Sequence, residues 1–169
     1  MTAVPGTFLA GAVLAAASME AIMKRPLIMV GRNTAQSITT STVTVVGWNT
    51  EGSDDDAMHD NVTNNSRLTI PASCGGWWIW AVCIPWAANA TGAREVGLRV
   101  NGGSGIAIDR NSPGAAVGHY NQGIGIFPTA LNAGDYVEAQ VWQSSGGSLN
   151  IDNTAFQGAW MAGFWLRRA

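Results

Sequence analysis

Two stretches of the chain alternate apolar and polar residues with a period of two. In Arg94–Val100, Val96, Leu98 and Val100 share one side and Glu95 and Arg99 the other; in Asp135–Trp142, Val137, Ala139 and Val141 lie opposite Tyr136, Glu138 and Gln140. This pattern predicts antiparallel strands with one face on a core and one in water. Two further stretches break it, because Trp77–Ile84 and Trp160–Leu166 are apolar at nearly every position. A strand in a two-sheet sandwich has only one core face, so the second face of each needs another cover, either the N-terminal segment or a second copy of the chain. The expected oligomer interface is Trp78, Trp80, Val82, Trp160, Phe164 and Trp165.

Short strands are also predicted over Ser41–Trp48, Ser66–Ile70, Ser104–Asp109, Gly118–Phe127 and Ser148–Asp152, where β-branched and aromatic residues gather. Turn-forming clusters separate them at Asn49–Asp56, Asn101–Gly103, Asn132–Gly134 and Ser144–Gly147. Many short strands at this spacing predict an all-β protein, an antiparallel β-sandwich of the jelly-roll type. The first 30 residues differ: Ala15–Met23 favours helix and Pro26 should end it. The expected organisation is a short N-terminal helical arm for attachment over residues 1–30 and a jelly-roll head over 31–169. Phe8–Met23 is apolar but is interrupted by Glu20 and is shorter than the roughly 20 residues a spanning helix needs, so no membrane insertion is expected.

Composition sharpens this picture. Charged residues make up 12 % of the chain, about half the usual share, so much of the surface is neutral or hidden in an assembly. A net charge of −2 and a single lysine, Lys24, give no phosphate-tracking stripe, and no nucleic-acid partner is expected. Five of the eight tryptophans fall in the two doubly apolar stretches.

Catalytic constellations are sparse. Only His59 and His119 could serve a Ser or Cys nucleophile, and Ser104 lacks the Gly-x-Ser-x-Gly elbow. Cys74 and Cys83 match no zinc spacing and read as small hydrophobic side chains, the second inside a strand. No enzyme activity and no cofactor are expected. The acidic run Asp54, Asp55 and Asp56 offers either a calcium site or a solvated turn. Trp86, Asn89, His119, Tyr120, Asn121 and Gln122 offer either a glycan-binding surface, with rings to stack on sugars, or core packing and a plain polar loop.

Five short segments occur in order: Thr42–Trp48, Asn65–Pro71, Val96–Gly102, Leu131–Val137 and Phe156–Trp160. In this order they resemble the globular head of complement and the tumour necrosis factor superfamily, with its strand ending in Asn-Gly, its L-x-x-G-D-x-V step and its closing F-x-G strand. Leu68 departs from the aromatic usual at its position. The resemblance implies a jelly roll that assembles with itself as a homotrimer. The segment Val4–Met19 is similar to the opening of minor tail proteins in phages of actinobacteria, where a short helix leads into a β-rich head. That similarity implies a structural protein located in the virion, a minor tail or tail-tip module docked on other virion proteins through its arm. The alternatives are a capsid decoration protein and an adhesin module for host cell-surface glycan.

Overall fold

A computed structural model describes residues 25–54, 56–112, 120–151 and 158–169 of the chain. The described residues form two antiparallel sheets. The larger has seven strands: β1 (Leu27–Gly31), β2 (Gln36–Ile38), β4 (Thr50–Asp54), β6 (Gly76–Trp86), β9 (Tyr120–Leu131), β11 (Leu149–Ile151) and β12 (Trp160–Arg167). The smaller has β3 (Thr44–Val45), β5 (Leu68–Thr69), β7 (Arg94–Val100), β8 (Gly105–Asn111) and β10 (Tyr136–Gln143). β6 is the hub of the larger sheet, with β12 and β1 on one side and β9 on the other. In the smaller sheet β10 pairs β7, and β7 pairs β8. The all-β antiparallel sandwich expected from the alternation is what forms.

The core fills the space between the sheets. The larger sheet contributes Ile28, Val30, Trp78, Trp80, Val82, Ile84 and Met161; the smaller contributes Val96, Leu98, Val137, Ala139 and Val141, all essentially inaccessible. Trp78 and Trp80 stack with ring centroids 5.5 Å apart and planes 18° from parallel. Room for them comes from Gly163, which lies directly across from Trp80 in the β6–β12 register. A Cβ at residue 163 would overlap the six-membered ring of Trp80.

Three features depart from the sequence reading. The arm-to-head boundary at residue 30 runs through β1, because Leu27–Gly31 alternates out and in and buries Ile28 and Val30 completely. The rest of the expected helical arm, residues 1–24, lies outside the described residues. Thr50–Asp54 is a strand although the composition reads as turn; its polar residues pair with β1 through the backbone at the sheet edge. The predicted strand over Ser41–Trp48 is reduced to Thr44–Val45, while Val46 and Trp48 still bury their side chains.

Replacing Gly163 with alanine should cost about 1–3 kcal/mol, the usual penalty for overpacking a filled core. Gly125, whose Cβ position is open, should tolerate alanine with little change. Urea unfolding of both variants checks the pair; equal midpoints would show that the Trp80 ring yields easily.

Candidate functional site

Because β6 alternates, its odd-numbered residues Trp77, Ile79, Ala81 and Cys83 face away from the core, and each is half-buried. The registers extend this row into a sheet-wide surface. Pro128 of β9, Ile79 of β6, Phe164 of β12 and Leu27 of β1 lie side by side across four strands. A second row runs Ala81, Ala162, Met29, and a third runs Gly123, Cys83, Trp160, Gly31. Leu27, Met29 and Phe164 are 41 %, 44 % and 40 % exposed, and Ile126 of β9, on the same face, is 79 % exposed. No charged side chain stands within these three rows. The next row, Ala130, Trp77 and Arg167, brings in a charge, and further polar groups stand at the margins, with Thr50 and Ser53 on β4 and Arg25, whose guanidinium lies over the Trp165 ring and donates to the Leu166 carbonyl. Exposed apolar side chains gathered on one face in this way make it a candidate interaction surface.

The predicted interface residues divide between the two faces. Trp160 and Phe164 are on the outer face. Trp78, Trp80 and Val82 are not: they are 0 %, 0 % and 1 % exposed, in the core. Trp165 also turns inward, opposite Trp78. Both rows of β6 are apolar, so composition reveals the need for a second cover without telling which row needs it. The larger side chains, Trp78, Trp80, Val82, Ile84 and Trp86, take the intersheet space. The residues missed by sequence reasoning are Ile79, Ala81, Leu27, Met29 and Ile126; the volume difference between the two rows was the available signal.

The candidate glycan residues also separate. Trp86 is wholly buried, and its Nε1 donates to Gln122 Oε1 at 3.2 Å. Gln122, 2 % exposed, donates through Nε2 to the carbonyls of Arg94 (3.1 Å) and Asp109 (2.7 Å). These two side chains are core fittings with no face left for a sugar. Asn89 Oδ1 accepts from Thr91 N–H at 2.8 Å within its own turn. Asn121 is exposed; His119 and the Tyr120 side chain lie outside the described residues.

Arg94 explains why the turn before β7 keeps its shape. Its side chain is buried, and its guanidinium donates to the carbonyls of Thr91 (2.9 Å), Ala93 (3.0 Å) and Asn89 (3.0 Å). Burial pulls its pKa below the usual guanidinium value. On the smaller sheet, Glu138 is buried yet paired, taking Arg99 Nη2 at 2.7 Å and Ser66 Oγ at 2.6 Å. The outward face of this sheet is polar, with Arg67 over Tyr136 and Arg110 over Trp142.

The calcium reading of the acidic run loses its first ligand. Asp54 Oδ1 and Oδ2 accept the backbone N–H groups of Met58 and His59 at 2.8 and 3.0 Å, Asp56 is exposed, and Asp55 lies outside the described residues. Among the described residues no group of three His, Cys, Asp or Glu side chains could hold a metal ion. Also among them, no helix is long and apolar enough to cross a membrane. Cys74 is buried and Cys83 half-buried, both as free thiols, and burial pushes the Cys83 thiol pKa up.

No family model matches the chain, and no curated protein matches it. Solved structures do. The chain is similar to murine APRIL at pH 5.0, with a TM-score of 0.60 and 11 % identity over 85 % of this chain and 100 % of that one. It is similar to Eiger TNF from S. frugiperda, with a TM-score of 0.61 and 12 % identity over 86 % of this chain and 94 % of that one. At such identity the likeness is one of fold, and the fold is the jelly roll of the tumour necrosis factor type.

Gln122→Leu should act on folding and not on any sugar contact. It strands the Trp86 indole N–H and two carbonyls in the core, at a cost of about 1–3 kcal/mol for each group left unsatisfied. A thermal unfolding midpoint unchanged by the substitution would show that water replaces the amide.

Proposed function

We propose that this chain is a non-enzymatic structural module that assembles with copies of itself as a homotrimer and serves as a structural protein of a bacteriophage particle, at the tail or tail tip. The observation that carries self-association is the apolar outer face of β1, β6, β9 and β12, with four large apolar side chains 40 % to 79 % exposed on a single chain. Covering a large apolar side chain completely is worth about 1.5–3 kcal/mol, so pairing several of them between copies outweighs leaving them wet. The resemblance to a trimeric family supports three as the number. The fold has the same type, and the polar smaller sheet would then point outward as the displayed surface.

The virion location is supported by the likeness of Val4–Met19 to the opening of phage minor tail proteins. In this reading the N-terminal segment attaches the trimer to other virion proteins, and it enters the sandwich at β1, next to the covered face. Capsid decoration is the neighbouring alternative. The adhesin reading retains less support, because Trp86 and Gln122 are inside the core.

Light scattering coupled to size exclusion should give a mass near three times 17.7 kDa for the intact protein. Phe164→Asp and Met29→Glu each place a charge on the outer face without entering the core, and each should yield a folded species of lower mass. A trimer that survives both substitutions would contradict the interface. Peptides of the chain should be recovered from purified phage particles and co-purify with tails after the capsid is removed. Recovery with capsids favours decoration, and absence from particles overturns the virion reading.

A further inference from the structure

A cleft of about 560 Å³ opens at one end of the sandwich, between the β4–β5 connection and the smaller sheet. Its walls include Asp60, Thr63 and Asn64 from the connection, and Thr69 and Tyr136, which pair across β5 and β10. Arg67 lines it beside them. None of the lining residues belongs to β1, β6, β9 or β12, so the cleft lies apart from the apolar outer face. Its walls are fixed from behind. Asp54 takes the Met58 and His59 N–H groups at 2.8 and 3.0 Å. The Met58 carbonyl takes Thr69 N–H at 2.8 Å, and the Asn64 carbonyl takes Arg67 N–H at 2.9 Å. A site whose shape is set beforehand loses less freedom on binding.

Two charged groups of the cleft keep hydrogen-bonding capacity. The Arg67 guanidinium carbon lies over the Tyr136 ring, 4.3 Å from its centroid. That contact uses the face of the planar group and leaves its N–H donors, which lie in the plane. Glu138 Oε1 is 3.9 Å from Arg67 Nε, too far for a hydrogen bond. Glu138 is in any case satisfied by Arg99 Nη2 at 2.7 Å and Ser66 Oγ at 2.6 Å. Asp60 is the second group. Its Oδ1 accepts the Thr63 and Val62 N–H groups at 3.0 and 2.8 Å, which holds the carboxyl below the usual range. Its Oδ2 is left as an acceptor. The exposed Thr63, Asn64 and Thr69 add two hydroxyls and an amide.

A guanidinium with donors to spare calls for an anion, and the carboxylate beside it limits which one. A phosphomonoester brings a charge of about −1.5 to −2, against one unspent cation and an ionised Asp60. A carboxylate brings a single charge and two oxygens that match the guanidinium fork. Asp60 Oδ2 and the threonine hydroxyls then suit a carrier rich in hydroxyl groups. We infer that this cleft binds the carboxylate-bearing residue of an acidic sugar, with Arg67 holding the carboxylate and Asp60 accepting from ring hydroxyls. The site is separate from Trp86 and Gln122, which are in the core, and it depends neither on the assembly nor on the virion location.

Calorimetric titration of the intact protein with glucuronate, glucose and glucose 6-phosphate tests this. Glucuronate should bind about tenfold more tightly than glucose, the factor expected when a charge-assisted hydrogen-bonded pair is added. It should also bind more tightly than glucose 6-phosphate. Arg67→Gln should bring glucuronate down to the affinity of glucose. Arg67→Lys keeps the charge but not the fork and should recover part of the difference, which separates the lost charge from any change in the cleft's shape. Three results would each overturn the inference: no preference for glucuronate over glucose, tighter binding of glucose 6-phosphate, or a lysine variant that binds glucuronate no better than the glutamine variant.

Discussion

Side chains of β6 point alternately to the two faces of the larger sheet, and both rows are too apolar to be left in water. The even row resolves this within the chain: Trp78, Trp80, Val82, Ile84 and Trp86 fill the intersheet space, with Gly163 opposite Trp80 making way for the ring. Among the described residues nothing packs over the odd row to bury it, and its members stay half-buried. Its neighbours on β9, β12 and β1 extend it sideways in matching registers, so the sheet widens the apolar surface instead of covering it.

The two outer faces differ in chemistry. On the smaller sheet the outward residues are Glu95, Arg99, Gln140 and Trp142, knit by Arg99 to Glu138 and by Arg110 over Trp142. Such a face is stable in water by itself. On the larger sheet the outward rows through Ile79, Ala81 and Cys83 contain no charge, and the polar groups lie at the margin, on β4, at Arg25 and at Arg167 across from Trp77. Three buried polar side chains elsewhere serve the backbone: Arg94 holds three carbonyls of its own turn, Gln143 Nε2 donates to Ile38 O and Gly147 O, and Gln122 bridges the sheets' edges. These fittings hold turns and strand ends in place.

Much of the fold was legible from period-two alternation, because strands such as β7 and β10 have one side that water rejects and one that it accepts. Glu138 is the exception on β10, buried because Ser66 and Arg99 satisfy its carboxylate. Where alternation fails, legibility fails with it. Thr50–Asp54 carries no apolar residue, and only its backbone pairing with β1 makes it a strand. Leu27–Gly31 does alternate, but Pro26 and the composition change beside it look like a domain boundary. In β6 the pattern shows that two covers are needed and hides which row faces which, so Trp78 and Trp80 were expected outside. Trp86 and Gln122 look like binding residues because a ring and an amide can serve a sugar or each other, and only packing decides between them.

Hydroxyl-radical footprinting of the assembled protein tests the covered face most directly, since side-chain oxidation follows solvent access in the assembly. Met29 and Phe164 are 44 % and 40 % exposed on a single chain, as Val62 is at 88 % and Ile108 at 54 % away from this face. The account predicts that Met29 and Phe164 are protected while Val62 and Ile108 oxidise as their exposure implies. Oxidation of Met29 and Phe164 at the rates of freely exposed residues, in protein shown to be oligomeric, would contradict it.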